Sequence, residues 1–440
     1  MNNFIYRAYL FAKYKKNKFP QNPLELLNKI NEIHHLEKDK REEYQINLLN
    51  SLIQKSVDNT EYYKNFLNKH SDKIDSIESF NYNFPLIDKE LIIKYRSQLI
   101  NYSQSKRYNH TTSGSTGDPM IIEISPLAEA YRRARTIYFK SLWQIKPSDK
   151  SVLIWGLKKT EKSSGSYLTK IKKTFRNRLD INVFDLNEKT IFEYYKAIED
   201  FKPVYLRGYK SAIYMLAYLM NRNNLQFKKC APKVAIVTSE VLFENEREFI
   251  QDVLNCRVAN EYGSAECGII AYECPEGSMH ISEESVYLNT DSENNVRVTE
   301  LFNDGMPLIN YKNNDKIILS EATCNCGRTS RVVSKVEGRL NDFVQCPDGT
   351  EKSQYVFYYI IKELNDVGFA NSVAKYKIHQ KDFNFYFYLV PGKTYSQKVE
   401  AYIKNRMLEE IGKDISIEFI LKEKIDLEKS GKLRFFKREN

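Results

Sequence analysis

Over the first hundred residues apolar side chains recur every three or four positions. Leu24–Leu36, Arg41–Val57 and Asn59–Lys69 read as amphipathic helices on that spacing, and Asp88–Leu99 as another after the break at Phe84-Pro85-Leu86. From about residue 120 to 260 short apolar runs alternate with helical stretches. Ser151–Trp155, Ile181–Phe184, Val204–Leu206 and Val234–Val237 read as strands, and Leu127–Leu142, Lys189–Asp200, Ser211–Asn221 and Glu244–Leu254 as helices. That alternation predicts an α/β fold of parallel sheets covered on both faces. After residue 280 short strands between turn signals take over, at Ser285–Asn289, Val296–Glu300, Lys316–Leu319 and Arg331–Val336. They predict a small barrel or a distorted antiparallel sheet. The last hundred residues read as a compact α+β unit, with helices at Tyr355–Leu364 and Tyr395–Gly412 and strands at Ser372–His379, Phe383–Leu389 and Ile415–Leu421.

Composition narrows the class. A chain of 440 residues is too long for one ordinary core, so two or three units are expected. With 42% hydrophobic and 28% charged residues, disorder is excluded. The formal charge of +10 suits anionic partners such as nucleotides, coenzyme A or sugar phosphates. Eight Lys or Arg residues and a single acid, Glu161, fall between Lys158 and Arg178. That stretch is either a solvated face or a holder of phosphates. No helix-turn-helix, zinc-finger or RNA-recognition pattern accompanies the charge, so nucleic acid is not an expected partner. Met1–Pro20 has no long apolar signal core, and no stretch approaches the ~20 apolar residues of a membrane span. A reducing cytoplasm is the expected location, and seven cysteines, an odd number, fit a full disulfide framework poorly.

The densest chemical signal is Thr111-Thr112-Ser113-Gly114-Ser115-Thr116-Gly117-Asp118-Pro119. Two glycines let the backbone turn tightly against a ligand, and the hydroxyls and N–H groups around them can bind phosphate oxygens. No Gly-Lys-Ser/Thr follows, so this is not a Walker loop. A second string, Asn260-Glu261-Tyr262-Gly263-Ser264-Ala265-Glu266, offers an aromatic face for a base and a hard carboxylate for a hard cation.

In this order the two strings resemble the adenylate-forming ligases, which include the acyl-CoA synthetases. The likeness is greatest to the phenylacetate–CoA ligase branch and its capsule-biosynthesis (CapK-type) relatives, and it runs from about residue 80 to the end. It implies ATP and magnesium as cofactors, with Thr112, Ser113, Gly114, Ser115, Thr116 and Gly117 around the phosphates. It places Tyr262 and Gly263 at the adenine, Glu266 on the magnesium, and Ser239 and Glu240 of Val237-Thr238-Ser239-Glu240 beside adenine and acyl group. Arg207-Gly208-Tyr209-Lys210-Ser211 takes the place of a substrate-side loop. Asp315 would accept the ribose hydroxyls, and Arg339 of Gly338-Arg339-Leu340-Asn341-Asp342 would meet phosphate or ribose. Lys432 of Ser430-Gly431-Lys432-Leu433-Arg434 would offset charge as the carboxylate attacks the α-phosphate.

The implied architecture is a large body over residues 1–339, with a helical cap over 1–100, parallel sheets and a β-barrel-like part. A small α+β lid over 342–440 would turn about a hinge near 339–342. The chain departs from the family at Asp118, where Lys is usual, at Asn341, where Asp is common, and at Asn310, Lys312 and Asn313-Asn314 around Asp315. Acyl transfer would go either to coenzyme A or to an amine during assembly of a surface polysaccharide. The carboxylate would be a small molecule or a sugar acid. The competing reading is a decayed nucleotide-binding or scaffold protein, and joint retention of Glu266, Asp315 and Lys432 argues against it.

Cys274 and His280 are six apart, and Cys324 and Cys326 are two apart. Three thiolates and an imidazole make the closed tetrahedral set of a structural zinc, and phenylacetate ligase relatives carry similar strings. The alternative is four reduced, partly buried residues without metal. Cys230, Cys256, Cys267 and Cys346 have no matching partner pattern.

Overall fold

The structure, a computed structural model, describes residues 19–67, 74–111, 120–156, 177–228, 231–339, 343–364, 367–426 and 435–439. The chain divides into two compact units, Met1–Val336 and Glu337–Asn440. No helix among the described residues is long and apolar enough to cross a membrane.

Among the described residues of the larger unit the helices α1 (Leu26–Ile33), α2 (Lys38–Asn59), α3 (Glu61–Leu67), α4 (Ile77–Asn83) and α5 (Lys89–Leu99) precede the first strand. A two-stranded antiparallel ribbon follows, β1 (Tyr108–Thr111) against β2 (Ile121–Ile124), with Thr111 opposite Ile121. The ribbon thus flanks segment 112–119 on both sides. Arg96 and Arg107 both pair with Glu123 of β2, which ties the ribbon to α5. Helix α6 (Pro126–Leu142) opens with Ser125 as N-cap, accepting from the Ala128 N–H, and with a proline in its first turn. Both features favour a helix start there.

The parallel part of the sheet is built from β3 (Ser151–Trp155), β4 (Arg178–Asn182), β5 (Tyr205–Tyr209), β6 (Val234–Thr238) and β7 (Arg257–Ser264). Its crossover helices include α7 (Ile191–Phe201), α8 (Lys210–Arg222) and α9 (Glu244–Leu254). The strand read at Ile181–Phe184 ends at Asn182 and tightens into a 3-10 turn over Val183–Asp185.

Of the two forms expected after residue 280, a small barrel or a distorted antiparallel sheet, the strand order shows the second. The strands β8 (Gly268–Glu273), β9 (Met279–Ile281), β10 (Val286–Thr290), β11 (Asn295–Glu300), β12 (Tyr311–Ser320) and β13 (Val332–Arg339) continue the parallel strands. Among the described residues they form one eleven-stranded sheet, β10-β11-β12-β13-β9-β8-β7-β6-β5-β3-β4, with no closure. The physical reason is the β7–β8 hairpin. Antiparallel pairing at Tyr262–Ala271 lets the later strands add to the existing edge, where they need no second sheet.

One core lies among α2, α4, α5 and the antiparallel strands, with Leu49, Phe80, Ile92, Val286 and Ile317. Another joins α1 and α6 to the sheet through Ile30, Tyr131, Phe139, Ile236 and Tyr272. In the smaller unit an antiparallel ribbon of β14 (Phe343–Gln345) and β15 (Glu351–Ser353) comes before β16 (Val373–Lys381), β17 (Asn384–Pro391), β18 (Ser416–Leu421) and β19 (Phe436–Glu439), which form a sheet of order β18-β17-β16-β19. Helices α10 (Tyr355–Glu363) and α11 (Gln397–Ile411) share a core with it that includes Phe357, Phe385, Ile403 and Phe436. Strand β19, which the sequence pattern does not disclose, pairs in parallel with β16.

Candidate active site and metal centre

Doubly wound sheets bind ligands beyond the carboxyl ends of their parallel strands. There β7 ends in Tyr262, Gly263 and Ser264 and leads into a tight turn to β8. A Cβ on Gly263 would lie 2.4 Å from the Gly268 carbonyl oxygen, so the close hairpin requires glycine. Tyr262 is buried and donates its hydroxyl to Asp315 Oδ2 at 2.9 Å, although 53 residues separate them. Burial and the Asp315 carboxylate hold this phenol well above its ordinary pKa, so it stays a neutral donor. Asn313, one of the departures from the family pattern, donates to both partners at 3.1 Å and accepts from the Asp315 N–H at 3.0 Å. The Asn thus orients the carboxylate that the sequence singles out.

Glu266 is partly exposed, and its Oε1 accepts from the Tyr311 hydroxyl at 3.3 Å. Among the described residues no basic side chain pairs with its carboxylate. A hard, singly hydrogen-bonded carboxylate in that setting fits a magnesium ligand. The backbone of its turn is held by two arginines that sequence reasoning missed. Arg132 on α6 donates to the carbonyls of Ala265, at 3.2 Å, and Glu266. Arg135, one helical turn on, reaches the carbonyls of Ile269 at 2.7 Å and Cys267 at 3.1 Å. Both guanidiniums pair at 2.7 Å with Glu300 of β11. Arg132 also lies 3.4 Å from His110 Nδ1 on β1, beside the start of segment 112–119.

Ser239 follows β6 with a left-handed φ of 69°. The neighbouring Glu240 accepts from the Ser211 N–H at 2.6 Å and its hydroxyl at 2.9 Å, so its carboxylate caps the start of α8. Tyr262 and Asp315 are therefore linked directly and through Asn313, and Glu266 is bonded to Tyr311 of the same strand β12, whereas the Glu240 side chain is engaged elsewhere. Arg339 lies on β13, but its side chain falls outside the described residues. Thr112, Ser113, Gly114, Ser115, Thr116, Gly117 and Lys432 also lie outside them.

At the far end of β8 the four sulfur and nitrogen candidates converge. The ligand atoms of Cys274, His280, Cys324 and Cys326 all lie within 4.8 Å of one another. Cys274 and Cys324 have their sulfurs 3.6 Å apart, and Cys326 Sγ is 3.2 Å from His280 Nε2. A tetrahedron with arms of about 2.0–2.3 Å has edges of roughly 3.3–3.8 Å. A disulfide would need a sulfur separation near ~2.05 Å. Two similar turns supply the thiols: Gly277 N–H bonds the Cys274 carbonyl at 3.0 Å, and Gly327 N–H bonds the Cys324 carbonyl at 3.1 Å. Both glycines have φ near 80°, which favours glycine over a residue with a side chain.

Cys346-Pro347-Asp348-Gly349 repeats this turn without such partners, so the turn alone does not make the cluster. Burial pushes the His280 imidazole down to about 4. Its Nδ1 faces Ser330 Oγ at 3.1 Å, and that hydroxyl reaches His34 Nδ1 at 2.9 Å. His34 continues to Glu284 at 3.1 Å, so the cluster is wired to the residue just after α1. The six residues of β8, at about 3.3 Å each, put ~20 Å between this cluster and the Glu266 turn.

The comparisons with known proteins define first a class. The chain has the fold of the adenylate-forming CoA ligases. It matches 2-hydroxyisobutyryl-CoA ligase, solved in the postadenylation state with an acyl-AMP, at a TM-score of 0.72. That match covers 92% of this chain and 91% of that one, with 14% identity. It also matches the anthranilate–CoA ligase AuaEII, solved with anthranoyl-AMP, at 0.51 over 84% and 70% of the two chains, with 12% identity. Within that class, residues 349–439 match the CapK C-terminal domain family. The chain is 26% identical over 343 residues to Protein CapK of Staphylococcus aureus, covering 76% of this chain and 74% of that protein.

Proposed function

We propose that the protein activates a carboxylate with ATP and transfers the acyl group to the thiol of coenzyme A or to an amine. In the first step a carboxylate oxygen attacks the α-phosphorus, the bond to the β-phosphate bridging oxygen breaks, and pyrophosphate leaves. In the second the acceptor's thiol or amine attacks the acyl carbon and AMP leaves. The observation that carries the reading is the gathering of Tyr262, Asp315 and Glu266 at the carboxyl ends of the parallel strands. Its support from the fold is that the similar ligases were solved with acyl adenylates.

In this reading Tyr262 packs on the adenine, and Asp315 exchanges its tyrosine donor for ribose hydroxyls. Magnesium, held by Glu266, would neutralise phosphate charge. Residues 112–117 would cradle the phosphates, and Lys432 would act on the pentavalent transition state. The smaller unit would turn between steps about a hinge near 339–342. A role in surface polysaccharide assembly rests on the likeness to Protein CapK.

Release of pyrophosphate from ATP, with hydroxylamine as acyl trap, tests the reading across aryl, fatty, amino and sugar acids. A hydroxamate matched by pyrophosphate is the expected result. ATP binding without pyrophosphate from any acid would point to a decayed nucleotide-binding or scaffold protein. Lys432→Ala is expected to slow adenylation at least ~10²-fold while ATP affinity stays nearly unchanged, because the lost charge acts mainly on the transition state. Unchanged turnover would move that role to another residue.

Cys274, His280, Cys324 and Cys326 would hold a structural zinc, which supplies no chemistry to the reaction and fixes the two cysteine turns beside α1. A metal present 1,000-fold above its Kd stabilises by about 4 kcal/mol. A strong chelator should therefore lower the unfolding temperature before it weakens nucleotide binding. Elemental analysis of protein purified without chelator should find one zinc per chain, and its absence would remove the zinc reading.

A further inference from the structure

The parallel strands carry a second polar cluster at the same end of the sheet. Tyr209 of β5 pairs with Thr238 of β6, and Thr238 with Glu261 of β7. Ile154 pairs with Gly208, so the next step of the ladder brings Trp155 beside Tyr209, with ring centroids 3.9 Å apart. Two residues earlier on β5, hence on the same face, Arg207 donates to Glu261 Oε1 at 2.6 Å. Its guanidinium lies 5.8 Å from the centre of the Trp155 ring.

Central parallel strands are ordinarily apolar on both faces, as β6 is through Val234, Ala235, Ile236 and Val237. A glutamate at such a position is costly to bury, whereas the Arg207 side chain keeps 29% exposure at the edge of the cluster. Glu261 is only 5% exposed, yet among the described residues its Oε2 has no hydrogen-bond partner, and neither has Arg207 Nε. Unmet polar atoms of that kind cost about 1–3 kcal/mol each. An aryl or fatty acid laid here would cover the pair without satisfying it. A ligand with several hydroxyls would meet the carboxylate as donor and the guanidinium as acceptor, and its C–H face would rest on the partly exposed Trp155 ring. Glu261 precedes Tyr262 in the chain, so this row borders the candidate nucleotide site.

We propose that Trp155, Arg207, Tyr209, Thr238 and Glu261 form the floor of the acyl pocket, and that the activated acid is polyhydroxylated, a sugar acid of the uronic class. The inference rests on the adenylating reading above and deepens it. The test compares two acyl-adenylate mimics, the N-glucuronyl and N-phenylacetyl conjugates of 5′-O-sulfamoyladenosine, by calorimetry on the full chain. The glucuronyl conjugate should bind at least ~10-fold more tightly. Arg207→Lys and Glu261→Gln, both close to the native side chains in size, should each erase most of that ratio. A general loss of fold weakens both conjugates together and leaves the ratio unmoved.

Equal affinities, or preference for the phenylacetyl conjugate, in the unsubstituted protein would overturn the sugar-acid inference and leave the adenylating reading standing. A glucuronyl preference that survives both substitutions would overturn the assignment of the pocket floor. Two conjugates that bind no better than unconjugated 5′-O-sulfamoyladenosine would overturn both readings.

Discussion

Glu266→Gln is expected to lower acyl-adenylate formation by about 10²-fold and to raise the magnesium concentration needed for half-maximal rate. The substitution keeps the side chain's size and one carbonyl oxygen, so the bond from Tyr311 at 3.3 Å can persist. The backbone of the turn is held independently by Arg132 and Arg135. What is lost is the negative charge, and a hard divalent cation depends on charge more than on shape. The readout is pyrophosphate release over a magnesium titration, together with the unfolding temperature. An unchanged magnesium dependence in a folded variant would assign the cation to another carboxylate. A fall in rate with an equal fall in stability would mean that the turn, and not the ion, had been disturbed.

The largest effect on stability is expected at Glu300. Its side chain is 5% exposed and holds two guanidiniums of which Arg135 is fully buried and Arg132 is 7% exposed. Glu300→Ala leaves both charges without their carboxylate, a loss of about 3–5 kcal/mol. Arg135 Nε already has no partner among the described residues, so the triad has little reserve. Glu300→Gln retains an acceptor and should cost less. Urea unfolding of the two variants checks the order, and equal stability of Glu300→Ala and the parent would show that water replaces the carboxylate. Because Arg132 also grips the Ala265 carbonyl and approaches His110, the alanine variant should lose nucleotide binding before it loses its fold.

These two residues illustrate what a sequence discloses unevenly. Glu266 stands at the end of a recognisable string, and Asp315 is kept within an altered one, so both could be named from the chain. Glu300 could not. It closes an ordinary amphipathic strand, and its partners lie 165 and 168 positions away on a helix. On α6, Arg132, Arg133 and Arg135 look alike in the sequence. Only packing separates buried Arg132 and Arg135 from Arg133, whose side chain is 37% exposed and pairs with Glu129 four residues back. The Cys and His residues were legible because thiols and imidazoles in a closed set of four have few other uses. Their extension through Ser330 and His34 carries no motif, since any small hydroxyl and any histidine could have stood there.

Where the local pattern is strong, the type and place of the elements were determined by the sequence alone. Ser151–Trp155 and Glu244–Leu254 fall where their periodicity puts them, because local spacing decides whether a segment can bury one face as a strand or a helix. The glycine turns at Gly277 and Gly327 were likewise fixed locally, by the backbone freedom they need. Tertiary structure decided which strands share a sheet, and so chose the antiparallel extension of one sheet over a separate barrel. It also set the register that aligns Tyr209, Thr238 and Glu261, and it brought Tyr262 to Asp315. Pairing across a sheet depends on contacts between residues far apart in the chain. No local pattern encodes which distant carboxylate will meet a buried guanidinium or phenol.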